Sequence, residues 1–156
     1  MPSDTPLVRQ FMTTDLVIID GGLSLTDALT RMFQNSVRHL PVVVGGHLVG
    51  ILSDRDIAHI TAVRGVDPEK YSAEQACTPN PYVCSPSSTL EEVVTTLAEH
   101  KFGAALVMEG GHLVGMFTVI DALQALAALL RREAVQAADP AHRWSTASVA
   151  ASLAAR

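Results

Sequence analysis

The sequence has few aromatic residues and few cysteines, and each shortage narrows the kind of protein it can encode. Aromatic residues make up 4% of the 156 residues and apolar residues 48%, so we expect a core of aliphatic side chains. A disulfide framework normally has more cysteines than the two present, Cys77 and Cys84. Their separation of seven positions is not a metal-ligand spacing either, so we interpret both as small buried apolar residues.

Long apolar runs and basic clusters are also absent from the sequence. The longest apolar runs, residues 48–52 and 122–130, are shorter than the roughly 18 to 20 residues that cross a membrane. Residues 1–10 lack the basic and apolar regions of a signal peptide, which predicts a cytoplasmic protein. The net charge is −5 without a concentration of Lys or Arg, so neither nucleic acid nor a membrane is expected as the main partner. A small anionic ligand held by a few arginines stays compatible with this charge.

The sequence contains an internal repeat. Residues 45–50 read Gly-Gly-His-Leu-Val-Gly, and residues 110–115 read the same six letters, 65 positions later. With this shift, residues 11–58 align with residues 76–123 without a gap, and apolar classes match where letters differ. The chain therefore contains two copies of one structural unit.

Each copy predicts the order strand, helix, strand, strand, helix. Ser24 is a candidate N-cap for the first helix, and Ser88 or Thr89 for its counterpart, with helix ends near Asn35 and His100. Aliphatic runs on either side of each double glycine predict a β-hairpin, since glycine reaches positive φ easily. A second helix is expected over residues 56–63, and its counterpart from Asp121 onward.

The predicted division of the chain follows from the repeat. Residues 8–63 form the first copy, 64–75 the connection, 76–130 the second copy, and 131–156 a helix extension and tail. One copy has a single apolar sheet face that it cannot bury alone, so two copies are expected to stack.

The ordered motifs of both copies resemble the CBS domain, named after cystathionine beta-synthase. The likeness lies in residues 38–43 (Arg-His-Leu-Pro-Val-Val), in 48–57, and in the counterpart 113–118 with Asp121. It implies an α+β fold of two β-α-β-β-α repeats packed sheet to sheet as a pseudo-twofold pair, a Bateman module. Many members of this family bind adenosine-containing ligands in clefts between the repeats, they generally sense rather than catalyse, and pairs commonly dimerise.

A Ser/Thr-x-x-Asp pattern follows the hairpin in each copy, at Ser53 to Asp56 and at Thr118 to Asp121. The hydroxyl can cap the helix, whose first amides attract anions, and the aspartate can accept hydrogen bonds from two vicinal hydroxyls. The resemblance implies that both aspartates hold ribose hydroxyls, with Ser53 and Thr118 near ribose or phosphate. The alternative interpretation is helix capping alone, because these residue types favour a helix start without any ligand.

Two arginines are candidate phosphate partners, because the guanidinium group matches phosphate oxygens. They are Arg38 and Arg55, and the alternative for both is an ordinary solvated side chain. The second copy has Gly103 and Ile120 instead, so the two clefts are not expected to be equivalent. By resemblance, adenine takes an apolar slot, formed by Thr13 and Val17 with His39 and Pro41, and in the other copy by Thr78 and Tyr82 with Ala104 and Ala105. His39 either stacks on the base, touches phosphate or is an ordinary surface residue. The complete predicted set is Thr13, Val17, Arg38, His39, Pro41, Ser53, Arg55, Asp56, Thr78, Tyr82, Ala104, Ala105, Thr118 and Asp121.

No catalytic set or metal motif is recognisable, so we do not expect an enzyme, a required cofactor or a bound metal. The predicted function is a regulatory module that binds AMP, ADP or ATP, with S-adenosylmethionine possible, and signals to an effector protein by a conformational change. The alternative is a constitutively dimeric interaction protein with empty or vestigial clefts. A homodimer through the repeat helices and the last helix is expected in both cases.

Overall fold

The computed structural model of the protein describes residues 5–136, with side chains through Arg131. The contacts divide these residues into two compact units. The first unit comprises residues 15–82, and the second comprises residues 5–14 together with 83–136. The predicted tail from residue 137 onward, with Trp144, lies outside the described residues.

The first unit is a four-stranded sheet with helices. The strand order is β1-β2-β3-β4, in which β1 runs parallel to β2 and the other neighbours are antiparallel. Its elements are β1 (Ile19–Asp20), α1 (Leu25–Asn35), β2 (His39–Val44), β3 (His47–Ser53), α2 (Asp54–Thr61), α3 (Ala73–Ala76) and β4 (Thr78–Pro79).

Local sequence explains where these elements begin and end. The Ser24 hydroxyl accepts a hydrogen bond from the Asp27 amide and caps α1, and Ser36, in the left-handed region, follows its last residue. Gly45 and Gly46 both have positive φ, 57° and 78°, and so close the β2–β3 hairpin with a turn that suits the strand twist. The buried face of the unit is aliphatic, as predicted, and includes Leu25, Ala28, Met32, Leu40, Val42, Leu52 and Ile57.

The second unit repeats this arrangement. Its sheet has the order β5-β6-β7, with β5 parallel to β6 and β6 antiparallel to β7. The Thr89 hydroxyl caps its first helix, which resolves the predicted choice between Ser88 and Thr89. Its elements are a 3₁₀ turn (Val8–Gln10), β5 (Val83–Cys84), α4 (Leu90–His100), β6 (Ala104–Glu109), β7 (His112–Thr118) and α5 (Val119–Gln136). The predicted α+β fold class, with two β-α-β-β-α units, is confirmed.

Each unit takes its last edge segment from the chain that precedes the other copy in sequence. Thr78 of β4 pairs with Ile51 of β3, and Thr13 forms an antiparallel bridge with Met116 of β7. These positions correspond to one another under the 65-residue shift. From the repeat, the sequence predicts a connection between the copies at residues 64–75. The contacts place residues 73–82 in the first unit and residues 5–14 in the second.

A glycine in each third strand makes room for the edge segment. A Cβ placed on Gly50 would lie 2.5 Å from the Thr78 carbonyl oxygen, and a Cβ on Gly115 would lie 3.1 Å from the Thr13 carbonyl oxygen. Both are closer than ordinary van der Waals contact. The last letter of the repeated six-residue motif therefore lets a backbone approach that any side chain would obstruct.

Candidate functional site

The first unit places Ser53 and Asp56 at the junction of β3 and α2. The Asp56 amide donates to the Ser53 hydroxyl oxygen at 3.1 Å. In return, Asp56 Oδ2 accepts from the Ser53 amide at 2.8 Å and from the Ser53 hydroxyl at 2.7 Å. This reciprocal pair is a capping box, so α2 begins at Asp54, two residues before the predicted start. The structure thus shows the capping role, in which the Asp56 carboxylate uses Oδ2.

The second unit repeats the capping pair and adds a third residue. Asp121 Oδ2 accepts from the Thr118 amide at 2.7 Å and from the Thr118 hydroxyl at 2.9 Å. The other oxygen, Oδ1, accepts from the Thr13 hydroxyl at 3.3 Å. Asp121 is 7% exposed, and burial raises the pKa of its carboxyl group, although the hydrogen bonds from Thr118 and Thr13 oppose that rise. Sequence reasoning grouped Thr13 with His39 and Pro41, and so missed its partner in the second unit.

Charged side chains are present at the β3–α2 junction of the first unit. Arg38 Nε lies 4.0 Å from Asp54 Oδ2; the Arg38 side chain is largely exposed and that of Asp54 is partly exposed. His39 lies opposite Ser53 in the β2–β3 pairing and is half-buried. Burial lowers the pKa of His39; Asp54 and Asp56 act to raise it, and Arg38 and Arg55 act to lower it further. The β2–β3 pairing and the Arg38–Asp54 contact bring Arg38 and His39 to the β3–α2 junction, where Arg55 and Asp56 lie in the first turn of α2.

The β7–α5 junction of the second unit has the same backbone arrangement as the β3–α2 junction, but it carries apolar side chains. The Asp54 amide donates to the Arg38 carbonyl at 3.1 Å, and the Val119 amide donates to the Gly103 carbonyl at 3.1 Å. Ala104 lies opposite Thr118, as His39 lies opposite Ser53. Val119 and Ile120 are 44% and 55% exposed, at the positions of Asp54 and Arg55. The asymmetry expected from Gly103 and Ile120 is present, and Asp54 and Val119 extend it.

The remaining predicted residues differ in exposure. Thr78 is exposed, and Val17 and Tyr82 are half-buried. Pro41 and Ala105, predicted to line an adenine slot, are fully buried within their strands, and Ala104 is nearly so. Asp54 was not predicted, although the sequence Ser-Asp-Arg-Asp at 53–56 places it at the first helical position beside Arg55.

Comparisons with known proteins agree on one family. The family model described as the CBS domain matches residues 8–62 and 73–128. The chain is 30% identical over 114 residues to the CBS domain-containing protein YhcV of Bacillus subtilis, covering 73% of this chain and 81% of that protein. It is 31% identical over 122 residues to the A-adding tRNA nucleotidyltransferase of Aquifex aeolicus, covering 76% of this chain but 14% of that enzyme.

A solved structure gives the same result for the fold. The structure of CBSX2, a CBS-pair protein from Arabidopsis thaliana, in complex with AMP has a TM-score of 0.70 at 27% identity. The match covers 81% of this chain and 99% of that one. Within residues 5–136, none of the helices is both long enough and apolar enough to cross a membrane.

Proposed function

Because the chain belongs to the CBS domain family, whose model matches two stretches that together span most of it, we propose that it is a regulatory module that binds an adenosine-containing ligand. AMP, ADP and ATP are favoured, and S-adenosylmethionine is the less favoured option. The module acts in the cytoplasm and requires no cofactor. It transmits binding to an effector protein by favouring one of its conformations, which requires that the ligand bind that conformation more tightly.

The observation that carries this proposal is the group of side chains at the β3–α2 junction. Arg38 and Arg55 are exposed and supply guanidinium donors that suit phosphate oxygens. Asp56 is partly exposed and supplies a carboxylate that can accept from a ribose diol. A phosphate and a diol on one small molecule describe a nucleotide, and the AMP complex of CBSX2 supports adenine as its base.

The same charges rank the ligands. The two arginines favour an anion, whereas the sulfonium of S-adenosylmethionine is a cation. The energetic difference is moderated by solvent, because both guanidinium groups are exposed. Affinity is therefore expected to follow the number of phosphates and to weaken as salt is added.

A thermal-unfolding panel tests the proposal. AMP, ADP, ATP, S-adenosylmethionine and NAD are each added at millimolar concentration, with adenosine and GMP as controls for the phosphate and the base. A ligand present at about 100 times its dissociation constant stabilises the folded state by about 2.7 kcal/mol. Stabilisation by at least one adenine nucleotide, with a smaller effect from adenosine, is the expected result. A panel without any shift would reject adenosine-ligand binding.

The exposed apolar side chains favour a second candidate, a constitutive homodimer that acts as an interaction protein. Phe33 on α1 is 87% exposed, with Leu29 one turn earlier also exposed. On α5, Leu123, Leu126 and Leu130 recur at helical spacing and are all more than half exposed. Apolar patches of this kind mark interfaces more often than free surface. We propose homodimerisation through these helices in either case, and an empty ligand panel together with a stable dimer would favour the second candidate.

A further inference from the structure

We propose that Asp54 controls how strongly the β3–α2 junction distinguishes ligands by their number of phosphate groups. Its carboxylate pairs with Arg38 and repels an incoming anion, so it acts against the attraction that the arginines exert. This inference rests on the proposed function and deepens it, because it assigns ligand selection to a side chain that opposes the ligand.

The backbone holds Asp54 next to Arg38. Asp54 is the first residue of α2 and directly follows the N-cap residue, Ser53. Its amide donates a hydrogen bond to the Arg38 carbonyl oxygen at 3.1 Å. Because this bond joins the main chains of the two residues, their side chains start from neighbouring points whichever rotamers they adopt.

The two side chains form a weak ion pair. Arg38 Nε lies 4.0 Å from Asp54 Oδ2, and the side chains are 77% and 45% exposed. Exposed ion pairs contribute little to stability, so replacing the partner of Arg38 costs little. A ligand phosphate can therefore take the guanidinium group from Asp54, and the carboxylate left behind opposes the phosphate at close range.

The formal charges of the four side chains at the junction cancel. Arg38 and Arg55 supply two positive charges, and the two aspartates supply two negative charges. Asp56 uses its carboxylate to close the capping box of α2. Asp54 accepts no side-chain hydrogen bond from any group that the structure describes, and the Arg38 contact is its one ion pair there. Its charge is therefore the one that a ligand meets without competition from the fold.

The second unit has the same backbone contact without the charges. The Val119 amide donates to the Gly103 carbonyl oxygen at 3.1 Å, and these residues correspond to Asp54 and Arg38. The strand–helix junction therefore forms with a valine and a glycine in the two places. The carboxylate and the guanidinium group are not required for this backbone geometry, which supports a role for them outside the fold.

Calorimetry of Asp54→Asn with ATP, ADP, AMP and adenosine tests this role. Asparagine keeps the shape of the side chain and removes its charge. We expect ATP to bind about three- to tenfold more tightly, AMP to gain by a smaller factor, and adenosine to bind as it does to wild type. The gain for ATP should shrink as salt is raised from about 50 mM to about 500 mM.

Asp27→Asn is the matched control. Asp27 is exposed in the first turn of α1 and forms no ion pair with any residue that the structure describes. The variant makes the same change in net charge at the start of a helix in the same unit, and its affinity for ATP should stay within about twofold of wild type. An equal gain in both variants would overturn the role of Asp54, because net charge alone would explain it.

His39 supplies a readout that requires no ligand. Burial lowers the pKa of His39, and the negative charge of Asp54 acts to raise it. Asp54→Asn should therefore lower the His39 pKa further in a titration followed by NMR, whereas Asp27→Asn should leave it unchanged. A wild-type His39 pKa in Asp54→Asn would overturn the inference, because the Asp54 charge would then not act at the junction.

The outcomes separate this inference from the proposed function. If wild-type protein binds no adenine nucleotide, the proposed function fails and the inference fails with it. If wild-type protein binds ATP and Asp54→Asn binds it no more tightly, the proposed function stands and the role of Asp54 is wrong. An equal gain for ATP and adenosine also overturns that role, because it would report a change of shape at the site and not of charge.

Discussion

Replacing Gly50 by alanine tests how closely β4 approaches β3. The new Cβ would lie 2.5 Å from the Thr78 carbonyl oxygen and 2.7 Å from Cys77 Sγ. The first distance is about 1 Å shorter than ordinary contact, and the atom met is backbone, so β4 must move. Overpacking of this kind costs about 1 to 3 kcal/mol, against a gain of about 0.4 to 1 kcal/mol from the stiffer unfolded chain. We expect a net loss of about 1 to 2 kcal/mol.

Gly115→Ala is the matched control, at the same position of the second unit. Its Cβ would meet Met12 Sδ at 2.8 Å and the Thr13 carbonyl oxygen at 3.1 Å. The flexible methionine can turn aside, and the backbone contact is looser, so we expect a smaller loss of stability.

Urea unfolding followed by circular dichroism measures both variants, and amide exchange near Thr78 reports on β4 itself. A loss of 1 to 2 kcal/mol corresponds to a fall in Tm of about 2 to 8 °C for a chain of this size. Adding Cys77→Ala to Gly50→Ala removes one of the two overlaps and should restore part of the stability. A Gly50→Ala protein with wild-type midpoint and wild-type exchange near Thr78 would refute the close approach.

Three further predictions follow from the charges and the exposed surface. Burial raises the pKa of Asp121 in the folded state, so ionisation of this carboxyl group lowers the stability of the protein as pH rises from about 4 through the raised pKa. The stability advantage of wild type over Asp121→Asn, measured by urea unfolding, should therefore shrink over this pH range. A difference that does not change with pH would contradict the raised pKa of Asp121. Arg38→Gln and Arg55→Gln should each weaken ATP binding several-fold in calorimetry, more at low salt than at high salt, while adenosine binding changes little; equal losses for both ligands would reject phosphate contact. Phe33→Ser should shift a homodimer toward monomer in analytical ultracentrifugation without lowering Tm, since Phe33 is exposed; an unchanged dimer removes α1 from the interface.

Sequence reasoning predicted the local features of the fold well. It placed the ends of α1 and α4 at Asn35 and His100, as found, and named Ser24 as an N-cap. These features depend on a few neighbouring residues: a capping hydroxyl, apolar residues at helical spacing, and glycines that adopt positive φ at the hairpin. Each of these local patterns occurs in both copies of the repeat, so each prediction rests on two stretches of sequence.

Very short elements and pairings between distant segments could not be predicted from the sequence. A helix of four residues (Ala73–Ala76) and a strand of two (Thr78–Pro79) are too short to show a period. The bridge from Thr13 to Met116 joins residues 103 positions apart, and no local pattern specifies it. The internal repeat identifies equivalent positions in the two copies, but it does not specify which strand each segment pairs with.

The candidate site was likewise predictable from the sequence only in part. The sequence identified the Ser/Thr-x-x-Asp pairs and the charge difference between Arg55 and Ile120, because residue type and position carry that information. It did not distinguish a carboxylate with an available oxygen from one already bonded on both oxygens. That distinction depends on Thr13, whose neighbour is set by the pairing of distant segments.

The division of the second unit between two stretches of chain has a consequence for synthesis on the ribosome. The first unit is continuous from residue 15 to 82 and has all its segments as soon as they emerge. Residues 5–14 emerge earlier still, but their partners are residues 86–90 and Met116, so at about 5 to 20 residues per second they wait roughly 4 to 20 s. During that interval Val8, fully buried in the finished protein, is exposed to water and to chaperones. Residues 5–14 are therefore made before the first unit but are among the last segments to fold.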